Sequence, residues 1–146
     1  MYVDKQNEFA DSQVVTATAI STNVIDLGAT NTLKDIGSGQ NVYLIVQVDA
    51  AATAAGAATV TFSLESDSTE NLATSATVHY TSTAIGKAAL TAGSTQLAIK
   101  LPAGNYERYL GVRYTVATGP LLTGSFSAFL TTDAQTWRPY ARNYVA

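Results

Sequence analysis

The strongest constraint on the fold is an alternation of apolar and polar residues with period two, repeated in short segments along the chain. Val60, Phe62 and Leu64 alternate with Thr59, Thr61, Ser63 and Glu65. Leu97, Ile99 and Leu101 alternate with Ala98 and Lys100, and Leu110, Val112, Tyr114 and Val116 with Gly111, Arg113 and Thr115. Successive side chains of a strand point to opposite faces, so each segment predicts a strand with one face in a core and one face wet. Residues 42–48 are apolar on both faces for most of their length, which predicts a central strand or one whose outer face meets a partner. Residues 14–20, 77–83 and 125–131 are further strand candidates, with a short one at 24–27. Such a series of about eight short, β-branched segments between turn signals predicts a single-domain antiparallel β-sandwich or jelly roll.

The turns have physical causes. Gly37-Ser38-Gly39 and Gly119-Pro120 interrupt any ladder. Pro102-Ala103-Gly104-Asn105 supplies a proline with a preset φ and a glycine to take a positive one. Helix signals are few. Asp67-Ser68-Thr69-Glu70 has capping-box spacing ahead of Leu72, open between a helical turn and the favoured plain polar turn. Residues 50–58 are rich in alanine but hold Thr53 and Gly56 and no charged face, so a loop between two strands is expected.

Length and charge exclude several classes of function. A chain of 146 residues is one ordinary domain and can bury a core without staples; with no cysteine, disulfides and thiolate chemistry are out. Charged residues are 13% and the net charge is −3, which argues against a nucleic-acid partner. A hydrophobic content of 47% argues against disorder. A surface of Ala, Thr and Ser with few charges lowers the cost of laying one protein flat on another. No apolar run approaches the ~20 residues of a membrane helix, and the acidic start (Asp4, Glu8 and Asp11 against Lys5) is unlike a signal peptide. Synthesis in the cytoplasm and no membrane partner are the expectations.

The ends differ from the middle, and the division expected is an arm at 1–12, a body at 13–134 and a tail at 135–146. The arm is acidic and holds Tyr2 and Phe9. The tail has Trp137, Tyr140 and Tyr144 with Arg138 and Arg142 and no acid. Trp, Tyr and Arg are the types enriched at binding hot spots, so the tail points to partner or subunit contact, with packing on its own domain as the alternative.

Chemistry is sparse. His79 is the only histidine, and no carboxylate adjoins it in sequence to complete a metal site. The acids Glu65, Asp67 and Glu70 lack calcium-loop spacing, so a solvated turn is expected. No phosphate-cradling loop or nucleophile elbow occurs. No catalytic residue, cofactor, metal or small-molecule substrate is expected. An enzyme using His79 with Glu107 or Asp133 is a rival reading, and a carbohydrate- or receptor-binding sandwich module of a phage tail or fibre is another.

The opening, MYVDKQNEFADSQVVTATAISTNVIDLG, resembles the start of the small cement (decoration) proteins on the capsids of tailed bacteriophages, of the podovirus jelly-roll type. The similarity continues from Thr59 in ESDS, in LPAGNYERYLGVRYTV and in GPLLTGSFSAFLTTDAQ; residues 30–58 are less similar, and the chain after Gln135 departs from the pattern. These are patterns of a β scaffold. The resemblance implies a structural virion protein on the capsid exterior. It would staple neighbouring major capsid protein subunits after expansion, as a homodimer near two-fold positions, with a trimer as the runner-up. The contact residues expected are Tyr2, Asp4, Glu8 and Phe9 in the arm and Trp137, Arg138, Tyr140, Arg142 and Tyr144 in the tail.

Overall fold

The computed structural model describes residues 3–29, 36, 41–73 and 75–134. Ten strands run in chain order among the described residues: β1 (Glu8–Val14), β2 (Ala19–Ile20), β3 (Ile25–Asp26), β4 (Tyr43–Thr53), β5 (Thr59–Asp67), β6 (Thr77–Thr81), β7 (Ile85–Gly86), β8 (Thr95–Lys100), β9 (Tyr109–Ala117) and β10 (Thr123–Thr131). Short 3-10 turns occupy Lys5–Asn7 and Lys87–Ala89, and there is no α-helix among the described residues.

Every pairing is antiparallel. Sheet A has the order β1-β10-β4-β8. Sheet B has the order β2-β9-β5-β6, with β3 continuing β2 along β9 and β7 following β6 along β5. Counting each broken edge as one strand gives eight positions. The first then pairs with the last, the second with the second-last, and so on inward to the β5–β6 hairpin. That nesting is one long hairpin rolled into two sheets, which is a jelly roll. The expected all-β sandwich is what the chain forms.

The core lies between the sheets. Val60, Phe62 and Leu64 of β5, with Leu110, Val112 and Tyr114 of β9, face Leu44, Val46 and Val48 of β4 and Phe126, Ala128 and Leu130 of β10. Three rings join the layers. The Phe62 ring meets Phe126 across the sandwich at 5.4 Å and Tyr114 beside it at 5.8 Å, both edge-on, and Tyr114 stacks on Phe126 at 5.7 Å. Each such pair contributes about 0.5–1.5 kcal/mol beyond the area it buries.

Three expectations change. The stretch 14–20 is not one strand: β1 ends at Val14, the chain crosses between sheets, and β2 starts at Ala19. The β-branched run suits extended backbone, but Val15 is wanted in the core at the crossing, where its N–H bonds the Gly124 carbonyl. The alanine-rich stretch is strand in its first part, since β4 runs on to Thr53 and only 54–58 is loop. Pairing overrides propensity here: Ala50 lies opposite Ser125, Thr53 opposite Thr123, and Ala52 packs beside Gly124, where a Cβ would come within 3.3 Å. Positive φ is taken by Gly119 (104°) in the Gly119-Pro120 turn and by Gly93 (75°) in the turn before β8, whereas Gly104 is not among the glycines with positive φ.

Asp67-Ser68-Thr69-Glu70 is the plain turn, with the Thr69 N–H and the Ser68 hydroxyl donating to Asp67 Oδ1, both at 3.2 Å. The central-strand expectation for 42–48 holds, because β4 sits between β10 and β8.

One polar atom in this core has no partner. The Tyr114 hydroxyl is buried and makes no hydrogen bond. Burial pushes its pKa well above the usual tyrosine value, and the Asp49 charge adds to the shift. An unmet buried hydroxyl costs about 1–3 kcal/mol. Tyr114→Phe keeps the ring contacts and removes that cost. Urea denaturation should show the variant equal to the parent or more stable by about 1 kcal/mol; a marked loss would reveal a partner for the hydroxyl.

Candidate interaction surface

The N-terminal segment is shorter than expected. Asp4 caps the 3-10 turn, its Oδ1 accepting from Gln6 N–H at 3.0 Å and its carbonyl from Asn7 N–H at 2.8 Å. From Glu8 the chain is already in sheet A, with Glu8 opposite Phe129 and Ala10 opposite Ala128. Phe9 is fully buried in the core, so it is no contact residue, and the expected arm boundary at residue 12 falls inside β1. The acids Glu8 and Asp11 conceal this strand in the sequence; they flank two core positions, Phe9 and Ala10. Asp4 is exposed and Glu8 half-buried. Tyr2, Trp137, Arg138, Tyr140, Arg142 and Tyr144 lie outside the described residues.

Two open depressions flank the segment 20–26. One, of roughly 320 Å³, is lined by Lys5, Gln6, Glu8, Asn23, Val24 and Asp26 among others. The other, of roughly 330 Å³, lies between 20–24 and Glu70-Asn71. Beside the first, Arg108 holds Asp26 in a two-pronged ion pair at 3.0 and 2.9 Å and lies over the Tyr109 ring. Both partners are about half exposed, so the pair fixes side chains more than it stabilises the fold.

Sequence reasoning missed a clamp on the outer face of sheet B. Glu65 and Asp67 do not sit on a solvated turn; they are 5% and 1% exposed, and only Glu70 of the three acids is open. Arg113, on the neighbouring strand, donates from Nε to Glu65 Oε2 at 2.7 Å and from Nη2 to the Leu72 carbonyl at 2.7 Å. Ser63 donates to Glu65 Oε1 at 2.9 Å. The turn after β5 is thereby tied down over the sheet, with the Leu72 side chain fully buried yet outside the main core. Leu72 has φ 50°, a left-handed backbone costing roughly 1 kcal/mol. Burying its side chain returns about 1.5–3 kcal/mol, so the strained plug is held.

Gly111 makes the seat: a Cβ there would stand 2.6 Å from Leu72 Cδ1 and 3.1 Å from Val24 Cγ1. Gly111→Ala should therefore destabilise by about 1–3 kcal/mol in urea titration. Adding Leu72→Ala should recover part of that loss. Strict additivity of the two substitutions would show that the contact is not what Gly111 serves.

His79 is half-buried and has partners on β5 and in the 102–107 connection. Its Nε2 is 2.7 Å from Ser66 Oγ, its ring lies 4.2 Å from that of Tyr106, and Ser66 Oγ also accepts the Glu107 N–H at 3.0 Å. Burial holds the His79 pKa below its ordinary value, with the Glu107 charge opposing. Catalysis by a serine–histidine pair needs a hydroxyl that substrate can reach and a third group orienting the base. Ser66 is fully buried, and Glu107 Oε1 is taken by the Thr77 hydroxyl at 2.9 Å. The arrangement pins the 102–107 connection to β5 and β6. Among the described residues no group of three or more acids and histidines is placed to hold a metal.

What remains open is surface. Val14, Leu122 and Val78 are 69%, 63% and 54% exposed. Val14 and Leu122 belong to one corner of sheet A, since Val14 pairs with Ser125 and the Leu121 N–H bonds the Thr16 carbonyl. No described aromatic side chain is fully exposed. The Bbp16 family model matches residues 9–130, from the buried Phe9 of β1 to Leu130 near the end of β10. The chain belongs to the Bbp16 family. Bbp16 is a phage-related family name, and the match spans the whole jelly roll. No curated protein matches the chain.

Proposed function

We propose that this Bbp16-family chain is a structural virion protein of a tailed phage, a capsid cement protein. It binds the outside of the head and staples neighbouring major capsid protein subunits against the pressure of packaged DNA. The observation that carries the reading is the match of a phage-related family over the entire jelly-roll body. The resemblance of the opening and of three later segments to decoration proteins adds the finer assignment. The surface suits it: few charges, exposed Val14 and Leu122 at one corner, and an open depression beside the N-terminal segment.

The mechanism is area and not chemistry. One molecule touching several subunits makes its loss cooperative, because every contact must open together. A homodimer on a two-fold axis would present the same patch twice and double that effect. The contact residues are Tyr2, Asp4 and Glu8 at the start of the chain and Trp137, Arg138, Tyr140, Arg142 and Tyr144 in the tail. The carbohydrate-binding alternative gains nothing: sugar platforms need exposed rings, and the described aromatics are buried or half-buried.

Purified protein should co-sediment with expanded shells that lack decoration, and saturably. Absence from the pellet at micromolar concentrations would overturn the proposal. Deleting residues 1–7 should leave the unfolding midpoint unchanged and weaken shell binding about tenfold, the equivalent of about 1.4 kcal/mol. By contrast, Phe9→Ala should cost about 3–5 kcal/mol of fold stability, because it empties a core position. Unchanged shell affinity after the deletion would remove the N-terminal segment from the contact.

A further inference from the structure

The pairing of β5 with β6 contains an irregularity that sets the direction of one side chain. Leu64 lies opposite Tyr80 and Glu65 opposite Val78, so β6 carries one extra residue there, His79, with nothing opposite it. A bulge of this kind re-aims a side chain. Strict alternation beside the core-packed Tyr80 would turn His79 outward. Instead its ring reaches Ser66, two residues on from the core residue Leu64 and on the same inner side.

The hydrogen bonds at this point fix where the protons are. The Ser66 hydroxyl has one hydrogen to give and, being fully buried, no water to give it to. Its oxygen accepts the Glu107 N–H at 3.0 Å, and its other partner among the described residues is His79 Nε2 at 2.7 Å. All three groups are satisfied only when Nε2 accepts and the ring proton sits on Nδ1. Gly104, itself exposed, is the neighbour on the Nδ1 side, where a Cβ would stand 3.6 Å away. A second proton on the ring turns Nε2 into a donor. Ser66 Oγ then faces two donors while its own hydrogen has no acceptor, a buried loss that water cannot make good.

We propose that His79 is a proton-operated latch: neutral, it fastens the 102–107 connection to the β5–β6 hairpin, and protonated in mild acid it lets that connection go while the sandwich stays folded. The latch is independent of shell binding. From the connection, the Tyr106 ring lies against the imidazole at 4.2 Å, and Glu107 supplies a charge that favours the proton, its Oε1 engaged by the Thr77 hydroxyl at 2.9 Å. From β5, Glu65 and Asp67 flank Ser66 and turn to the other face, where Arg113 holds Glu65 and the 68–69 turn holds Asp67. From β6 comes the phenol of Tyr80, next in the chain. Burial outweighs Glu107, so the ring titrates below its ordinary value of 6.5. The unfolded chain therefore takes up the proton first, and stability present above pH 6.5 is lost as the pH falls through it.

His79 is the only histidine, so nitrogen NMR of the full-length protein reads the latch without interference. At neutral pH the imidazole should be the Nδ1–H form. On acidification the ring should titrate below 6.5, and the Glu107 amide should shift and lose several-fold of its exchange protection with the same midpoint. In His79→Gln the side-chain carbonyl can still accept from Ser66, so the 102–107 amides should stay protected down to about pH 5. An Nε2–H form in the neutral protein overturns the proposal. So does a midpoint at or above 6.5, a Glu107 amide indifferent to the titration, or acid release that persists in a folded His79→Gln. If that variant does not fold, the tautomer and midpoint of the parent decide alone.

Discussion

The contact on which the sandwich depends is the meeting of Phe62 and Phe126 across the interior, braced by Tyr114. Two antiparallel sheets have no backbone bonds between them; only side chains hold them face to face. This chain supplies the join with large rings from β5, β9 and β10, and fills the remainder with leucine, valine and alanine. The cost is visible in the same place, since the Tyr114 ring brings a hydroxyl that finds no partner. The edge-on and stacked packing of three rings outweighs one unmet donor, which is why a tyrosine is tolerated at so dry a position.

The alternation in the sequence makes β5, β8 and β9 legible, because apolar side chains on the core face take turns with mostly polar ones on the other and a period-two pattern is the direct record of that. β1 is hidden for the opposite reason. Its two core residues, Phe9 and Ala10, are neighbours, with register shifts on both sides of Ala10, so no alternation survives. The extension of β4 through Ala50–Thr53 is hidden because alanine has little strand preference and the ladder with β10 decides. The clamp of Glu65, Arg113 and Leu72 joins residues 41 and 48 positions apart. Nothing local in the sequence signals that a glutamate on an alternating strand will be covered. Gly111 was the available clue, as a glycine inside a strand pattern that marks a close approach.

The surface and the function are tied by the same economy. A jelly roll puts its connections at the ends of the sandwich and leaves broad sheet faces between them. Here the described hydrogen-bonded polar groups are spent internally: Ser66 on His79 and the Glu107 amide, Glu65 on Arg113, Ser21 on the Val112 amide and the Asn23 carbonyl. Those bonds stiffen loops over the sheets. A stiff body of low charge loses little freedom when it is pressed against another protein, so modest contacts count for more.

The pairing of β1 with β10 has a consequence for how the molecule is made. Strand β1 must wait for β10 before sheet A can close, and Phe9 has no wall to pack on in its own sheet until Phe126 and Ala128 have emerged. Everything from β1 to β10 must therefore be synthesised before sheet A closes, so long-range pairing sets the pace. Nascent copies spend that interval with unsatisfied strands, and protection from aggregation has to come from the cell's folding machinery or from the sparse charges of the opening segment.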